Sequence, residues 1–289
     1  MKEDSRKLRA AALVLHLAAF AFSGAALAAN PADVATYLAN DRVVEVRELL
    51  AQKWNPNSAV KGQPAIMQAI REGAWRVYDV LAADPRTDVN AANSHDETPL
   101  MYLAIQGQTD RARTLIARGA QVNRLGWTPL HYAASKAQMD VARLLLAHRA
   151  IVNAPGPDGT TPLMMAGLSG SPEMVELLLR AGADPSMRNT QGLDAGSWAR
   201  SAKHGELAAK LDQAAAERLA SLAAQRAGKD SAAPAAAPAE ASPAVTTSPP
   251  AGQPPAAGAG AESRPGQGSP GVRGVEGIRL DPDGGASSR

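Results

Sequence analysis

Cysteine is absent from this chain, which excludes disulfides, thiolate metal ligands, a cysteine nucleophile and a lipid-modified N-terminal cysteine. Aromatic residues are scarce, with 2 Phe, 4 Trp and 4 Tyr among 289 residues. No apolar run approaches the ~20 residues needed to cross a bilayer; the run Ala10–Phe22 is short and is interrupted by His16. The sequence contains no H-E-x-x-H, no G-x-x-x-x-G-K and no G-x-G-x-x-G, so the common zinc-hydrolase, P-loop and dinucleotide fingerprints are missing. Charge of one sign is missing too. The formal net charge is +2, and basic residues alternate with acidic ones, as in Arg42-Val43-Val44-Glu45-Val46-Arg47-Glu48, a solvated helix face rather than a nucleic-acid patch.

The N-terminus carries Lys2, Arg6, Lys7 and Arg9 ahead of that short apolar run, and Ala26-Leu27-Ala28 supplies a small-x-small cleavage site. Residues 1–28 are therefore expected to be a secretory signal peptide, with the mature chain beginning near Ala29 or Asn30. An uncleaved anchor helix is the competing reading, and the short run argues against it. Removing the segment brings the net charge to about zero. Export, alanine richness and the lack of cysteine point to a bacterial periplasm, with release to the outside as the alternative.

After the leader, one sentence of sequence recurs. Residues 124–153 read RLGWTPLHYAASKAQMDVARLLLAHRAIVN. Thr128 is suited to cap a helix that opens on Pro129, whose missing N–H costs nothing at the first helical position. Leu130, Ala133 and Ala134 form one small apolar face; Val141, Leu144 and Leu145 form a second after a break at Lys136–Gln138. Two short antiparallel helices are predicted. Thr98-Pro99-Leu100 and Thr161-Pro162-Leu163 repeat the opening, and Gln63-Pro64-Ala65 and Asp194-Ala195-Gly196 are worn copies. The closing residues Asn57, Asn90, Asn123, Asn153 and Ser186 are spaced 33, 33, 30 and 33 apart.

A 33-residue unit carrying T-P-L-H-x-A, here Thr128-Pro129-Leu130-His131-Tyr132-Ala133, resembles the ankyrin-repeat family over roughly residues 31–212. The resemblance implies an all-α solenoid of stacked helix-turn-helix units joined by short hairpin fingers. An N-terminal cap is expected at about 31–57, units at 58–90, 91–123, 124–153 and 154–186, and a C-terminal cap at 187–212. The second unit departs at Asp84-Pro85-Arg86, where a local bulge is expected. In the fourth, Asn123 to Thr128 is a step of five where Asn90 to Thr98 is a step of eight, so its finger must be stunted. Arg149 also stands where the family favours glycine. Leu207, Leu211, Ala215, Leu219 and Leu222 continue a stripe into 213–227, read either as a helical extension or as a frayed end. The Ala/Pro/Gly/Ser-rich residues 228–289 are expected to be a disordered tail, with Val272, Val275, Ile278 and Leu280 as a candidate short motif.

Chemistry has few candidates. His131 could serve as a base, but it occupies the His of the repeat motif, which in the family ties neighbouring turns together. Met101, His131 and Met164 share one repeat position and could be soft metal ligands. Stacked helical units place equivalent positions ~8–10 Å apart, too far to share an ion. Gly167-Leu168-Ser169-Gly170-Ser171 lacks the final glycine of a nucleophile elbow. A non-enzymatic protein, with no cofactor, is expected.

What remains is a surface. In the family, finger tips and the exposed side of each first helix form a concave groove that binds proteins. Carried over position by position, this groove presents His95, Glu97, Ile105, Gln106, Leu125, Trp127, Lys136, Asp158, Leu168 and Leu193, accompanied by Ser135, Thr160 and Ser169. Trp127 is the one aromatic outside the repeat framework; it can be a partner's anchor or filler for the short finger. The expected function is a monomeric protein-protein interaction module in the periplasm, with a protein partner, no nucleic acid and no membrane anchor once the leader is cut. Alternatives are an inhibitor or protector of one exported enzyme, an effector delivered to a host, and an unrecognised hydrolase.

Overall fold

The computed structural model describes residues 29–231, with side chains to residue 227. The expected signal peptide and nearly all of the expected disordered tail, including the candidate motif Val272–Leu280, lie outside the described residues. Twelve α-helices and one two-stranded hairpin make up the described part. A single 3-10 turn, Pro31–Asp33, leads into α1 (Val34–Ala39) and α2 (Val43–Ala51). Strands β1 (Ala59–Val60) and β2 (Gln63–Pro64) pair antiparallel, Val60 opposite Gln63, and precede α3 (Ala65–Arg71) and α4 (Trp75–Ala83). The pairs α5 (Pro99–Ile105) with α6 (Thr109–Ala117), α7 (Pro129–Ser135) with α8 (Met139–Ala147), and α9 (Pro162–Ser169) with α10 (Pro172–Arg180) follow. Then come α11 (Ala195–Ser201) and the long α12 (Gly205–Ser231).

The helices begin where the sequence says they should. Thr98, Thr128 and Thr161 have extended backbones at the N-cap with proline next, and Asp194 caps α11 by accepting from the Ser197 N–H at 2.9 Å. The first helices α3, α5, α7, α9 and α11 pack each against the next, so they form one layer. They are apolar almost all round, as helices buried on several sides must be. Leu100, Leu103, Leu130, Ala133, Ala134, Leu163 and Ala166 are all buried. The second helices are amphipathic and bury one stripe, for instance Val141, Leu144 and Leu145 of α8, beneath that layer. Gly167 marks a close approach to the backbone of the next unit: a Cβ there would lie 2.6 Å from the Ala195 carbonyl oxygen.

The recurrent asparagine closes each unit onto the next. Asn90 donates its side-chain amide to the Gly119 carbonyl at 3.0 Å and accepts the Gln121 N–H at 2.8 Å. Asn57 does the same with the Arg86 carbonyl and Asp88 N–H, Asn123 with Arg149 and Ile151, and Asn153 with Gly182 and Asp184. Each amide thus satisfies one carbonyl and one N–H left orphaned where a second helix ends. Ser186, with a shorter side chain, turns instead to Asp184, its hydroxyl donating at 2.6 Å. At Asp84-Pro85-Arg86, Arg86 pairs with Asp84 at 2.6 Å, and Arg118 of the next unit donates to the carbonyls of Ala82, Asp84 and Thr87. The bulge is therefore tied down rather than loose. On α12 the buried residues are Leu207, Ala208 and Leu211, and the helix continues to Ser231.

Candidate functional site: the finger row

The fingers preceding α5, α9 and α11 are built alike. In the first, the Asn93 carbonyl of the side chain accepts from His95 N–H at 2.9 Å and Glu97 N–H at 3.0 Å, while the Asn93 N–H reaches the Glu97 carbonyl at 3.0 Å. Asn189 holds Gln191, Leu193 and the Leu193 carbonyl in the same way. In the finger between them, Gly156 N–H donates to the Thr160 carbonyl at 2.7 Å, and Asp158 accepts from the Thr160 N–H and hydroxyl. These are Asx turns, in which a side chain replaces a backbone acceptor. The fourth unit has no room for one. Its finger turns on Gly126 alone, at φ 76°, and leaves Leu125 98% exposed at the tip.

Trp127 lies half-buried next to that leucine. Its ring stands edge-on to His131, centroids 5.1 Å apart, and its outer edge lies over Gly156 of the next finger. The indole therefore covers the gap left by the missing residues and remains partly exposed. The indole thus packs as filler for the short finger, and the almost fully exposed apolar residue is Leu125.

The row also includes His95 and Lys136, both exposed, and Gln106, Asp158 and Leu168, which are half-buried. Leu193 is 39% exposed. Gln106 is partly committed, donating to the Ile70 carbonyl at 3.2 Å, and the Asp158 carbonyl accepts the Thr190 N–H at 2.8 Å. Ser135 and Ser169 are half-buried, each hydroxyl donating to a carbonyl of its own helix.

Three expected groove residues are corrected. Glu97 is 1% exposed: its carboxylate accepts from Tyr132 at 2.7 Å, Tyr102 at 3.1 Å and Asn93 at 2.8 Å. It lies beneath the groove surface because two tyrosines from consecutive units converge on it. Both phenols are held above their ordinary range, mainly by burial and then by the Glu97 charge, Tyr102 to about 12. Ile105 is 5% exposed because the last turn of α5 is wedged against its neighbours, its carbonyl accepting the Gln138 side chain at 3.1 Å. Thr160 is fully buried in its finger. The signal for Glu97 was available in the sequence: tyrosine at the same position of two consecutive units, each needing a hydrogen-bond partner once buried.

His131, Met101 and Met164 all turn inward to their own N-caps. Nδ1 of His131 accepts the Thr128 N–H at 3.1 Å and Nε2 donates to the Thr160 carbonyl at 3.0 Å. The sulfurs of Met101 and Met164 accept the Thr98 and Thr161 N–H groups at 3.4 Å. Burial pushes the His131 imidazole down to about 4, and both its nitrogens are engaged. The histidine is a neutral clamp between units.

The opposite, second-helix face carries two open hollows. One, of about 490 Å³, lies between α4 and α6 beside Tyr78, Arg111 and Arg118; the other, of about 630 Å³, is lined by Val43, Val44 and Val80. Arg111 is taken up by Asp79 at 2.9 and 3.0 Å and stacks 4.8 Å over Trp75. Tyr78 keeps a buried hydroxyl with no hydrogen-bond partner among the described residues.

Residues 81–155 and 122–189 match the family model for ankyrin repeats, which spans three copies. Over residues 81–189 the units are ankyrin repeats. The chain is 37% identical over 139 residues to ankyrin repeat and SAM domain-containing protein 6 of Rattus norvegicus, covering 47% of this chain and 12% of that protein. It is 30% identical over 97 residues to alpha-latrocrustotoxin-Lt1a of Latrodectus tredecimguttatus, covering 34% of this chain and 7% of that protein. The matches thus span a small part of both relatives. Ankyrin repeats are protein-interaction modules.

Proposed function

We propose that this protein is an exported, monomeric binding module that takes one protein partner along its finger row, centred on the stunted fourth finger. The observation that carries this is Leu125, an almost fully exposed leucine at the tip of the one shortened finger, with the half-buried Trp127 two residues on. Binding energy concentrates where apolar anchors can be fully desolvated and ringed by polar groups. His95 and Asp158, on the fingers before and after the stunted one, supply polar groups along the same row. The Ala26-Leu27-Ala28 site after a basic and apolar leader supports export, with a bacterial periplasm as the destination.

The test is quantitative affinity capture from periplasmic extract with the mature protein and its Leu125→Asp variant. A stoichiometric partner retained by the first and lost from the second supports the reading. Equal recovery by both would remove the fourth finger from the interface.

A further inference from the structure

Among the described residues, the most N-terminal contact is made by a backbone nitrogen that export would turn into an ammonium group. Ala29 N–H points at Oε2 of Glu48 on α2, at 3.3 Å, and the Ala29 side chain is 4% exposed. The next residue is held separately: Asn30 N–H donates to the Tyr37 hydroxyl at 3.2 Å, and the Asn30 side chain caps the 3-10 turn by accepting the Ala32 N–H at 3.0 Å. Among the described residues no lysine or arginine forms an ion pair with Glu48. Within the described residues the carboxylate therefore has no basic side chain as partner, and it faces the nitrogen that follows Ala26-Leu27-Ala28.

We propose that cleavage falls between Ala28 and Ala29 and that the freed α-ammonium of Ala29 becomes the counter-ion of Glu48, closing the N-terminal cap of the solenoid. The inference rests on the export reading. A signal peptidase supplies the chemistry: water adds across the peptide bond, the C–N bond breaks, Ala28 leaves as a carboxylate and the Ala29 nitrogen takes up protons to become –NH₃⁺. One neutral N–H is replaced by three donors and a positive charge, and charge-assisted hydrogen bonds are the stronger class. Cleavage one residue later would discard this nitrogen and set the new ammonium against the neutral Tyr37 hydroxyl. Processing at Ala29 thus tightens the N-terminal capping unit.

Two measurements test this. Intact mass of the exported protein is expected to show a chain starting at Ala29; a different processed start would overturn the assignment while leaving export standing, and an intact Met1 would overturn export itself. Separately, residues 29–289 are produced with Ala29 exposed by traceless removal of a fusion tag, with and without acetylation of the terminus, in wild type and Glu48→Gln. Acetylation keeps the N–H but removes the charge. In wild type it is expected to lower Tm by about 2–4 °C and to speed hydrogen exchange of the α1 amides severalfold, with both effects vanishing in Glu48→Gln. Equal effects in the two backgrounds, or none in wild type, would overturn the ion pair.

Discussion

His131 carries the most reactive-looking side chain of the repeats and is spent on holding two units together. Because its folded pKa is depressed to about 4 from an ordinary 6.5, the unfolded chain binds more protons between those values. Its contribution to stability is complete above about pH 6.5 and is lost as pH falls towards 4, an effect on the order of 3 kcal/mol. His131→Met, which installs the residue found at the equivalent positions Met101 and Met164, is expected to be less stable at pH 7 but to lose less stability between pH 7 and 4.5, as chemical denaturation at each pH would show. An unchanged slope would mean that the imidazole is protonated in the fold. Tyr78 offers the opposite case. Its buried hydroxyl has no partner, so Tyr78→Phe removes an unmet hydrogen bond and is expected to raise stability by about 1 kcal/mol. A loss in urea titration would show that the hydroxyl is satisfied in solution. For Trp127, half-buried over Gly156, substitution by alanine is expected to cost about 1–2 kcal/mol, below the 3–5 of a fully buried aromatic. Leu125→Ala is expected to cost less than about 0.5 kcal/mol.

Helix ends and turns carry the clearest compromises at the level of elements. Arg149 has φ 62° where Gly119 and Gly182 have φ 95° and 94°, and Ala137 has φ 51° where Gly107 and Gly170 have φ 67° and 73°. Left-handed backbone costs a residue with a Cβ roughly 1–2 kcal/mol. Arg149→Gly and Ala137→Gly are therefore each expected to stabilise the protein by about 1 kcal/mol, seen as a higher Tm; a fall in both would show that the side chains compensate for the strain. Gly167 is the counterpart, since alanine there would drive α9 away from α11. The 33-residue spacing, the threonine caps and the odd status of Arg149 were legible in the sequence because they follow from local backbone demands. The burial of Glu97 was signalled only indirectly, by tyrosine at the same position of two consecutive units, and that of Ile105 was not signalled. Both depend on what the neighbouring unit brings: Tyr132 and Tyr102 close over one, and α7 with Gln138 packs against the other. Reading a groove position from its own unit alone treats as surface what the stack turns into interior.

As a whole molecule, the stack is stabilised by nearest-neighbour contacts, so the asparagine clamps and the inter-unit histidine matter more than any single core. This arrangement frees the finger tips from structural duty wherever a finger closes on its own Asx turn. It also makes the fourth finger unlike the rest: too short for that turn, it presents an apolar tip where the others present polar ones. The most direct measurement of the central claim is the affinity of the captured partner for wild type and Leu125→Asp, with thermal unfolding followed on the same samples. The account predicts at least a tenfold weaker complex, equivalent to about 1.4 kcal/mol, at an unchanged Tm. Undiminished affinity with Leu125→Asp, or weakened affinity accompanied by a matching loss of Tm, would contradict it.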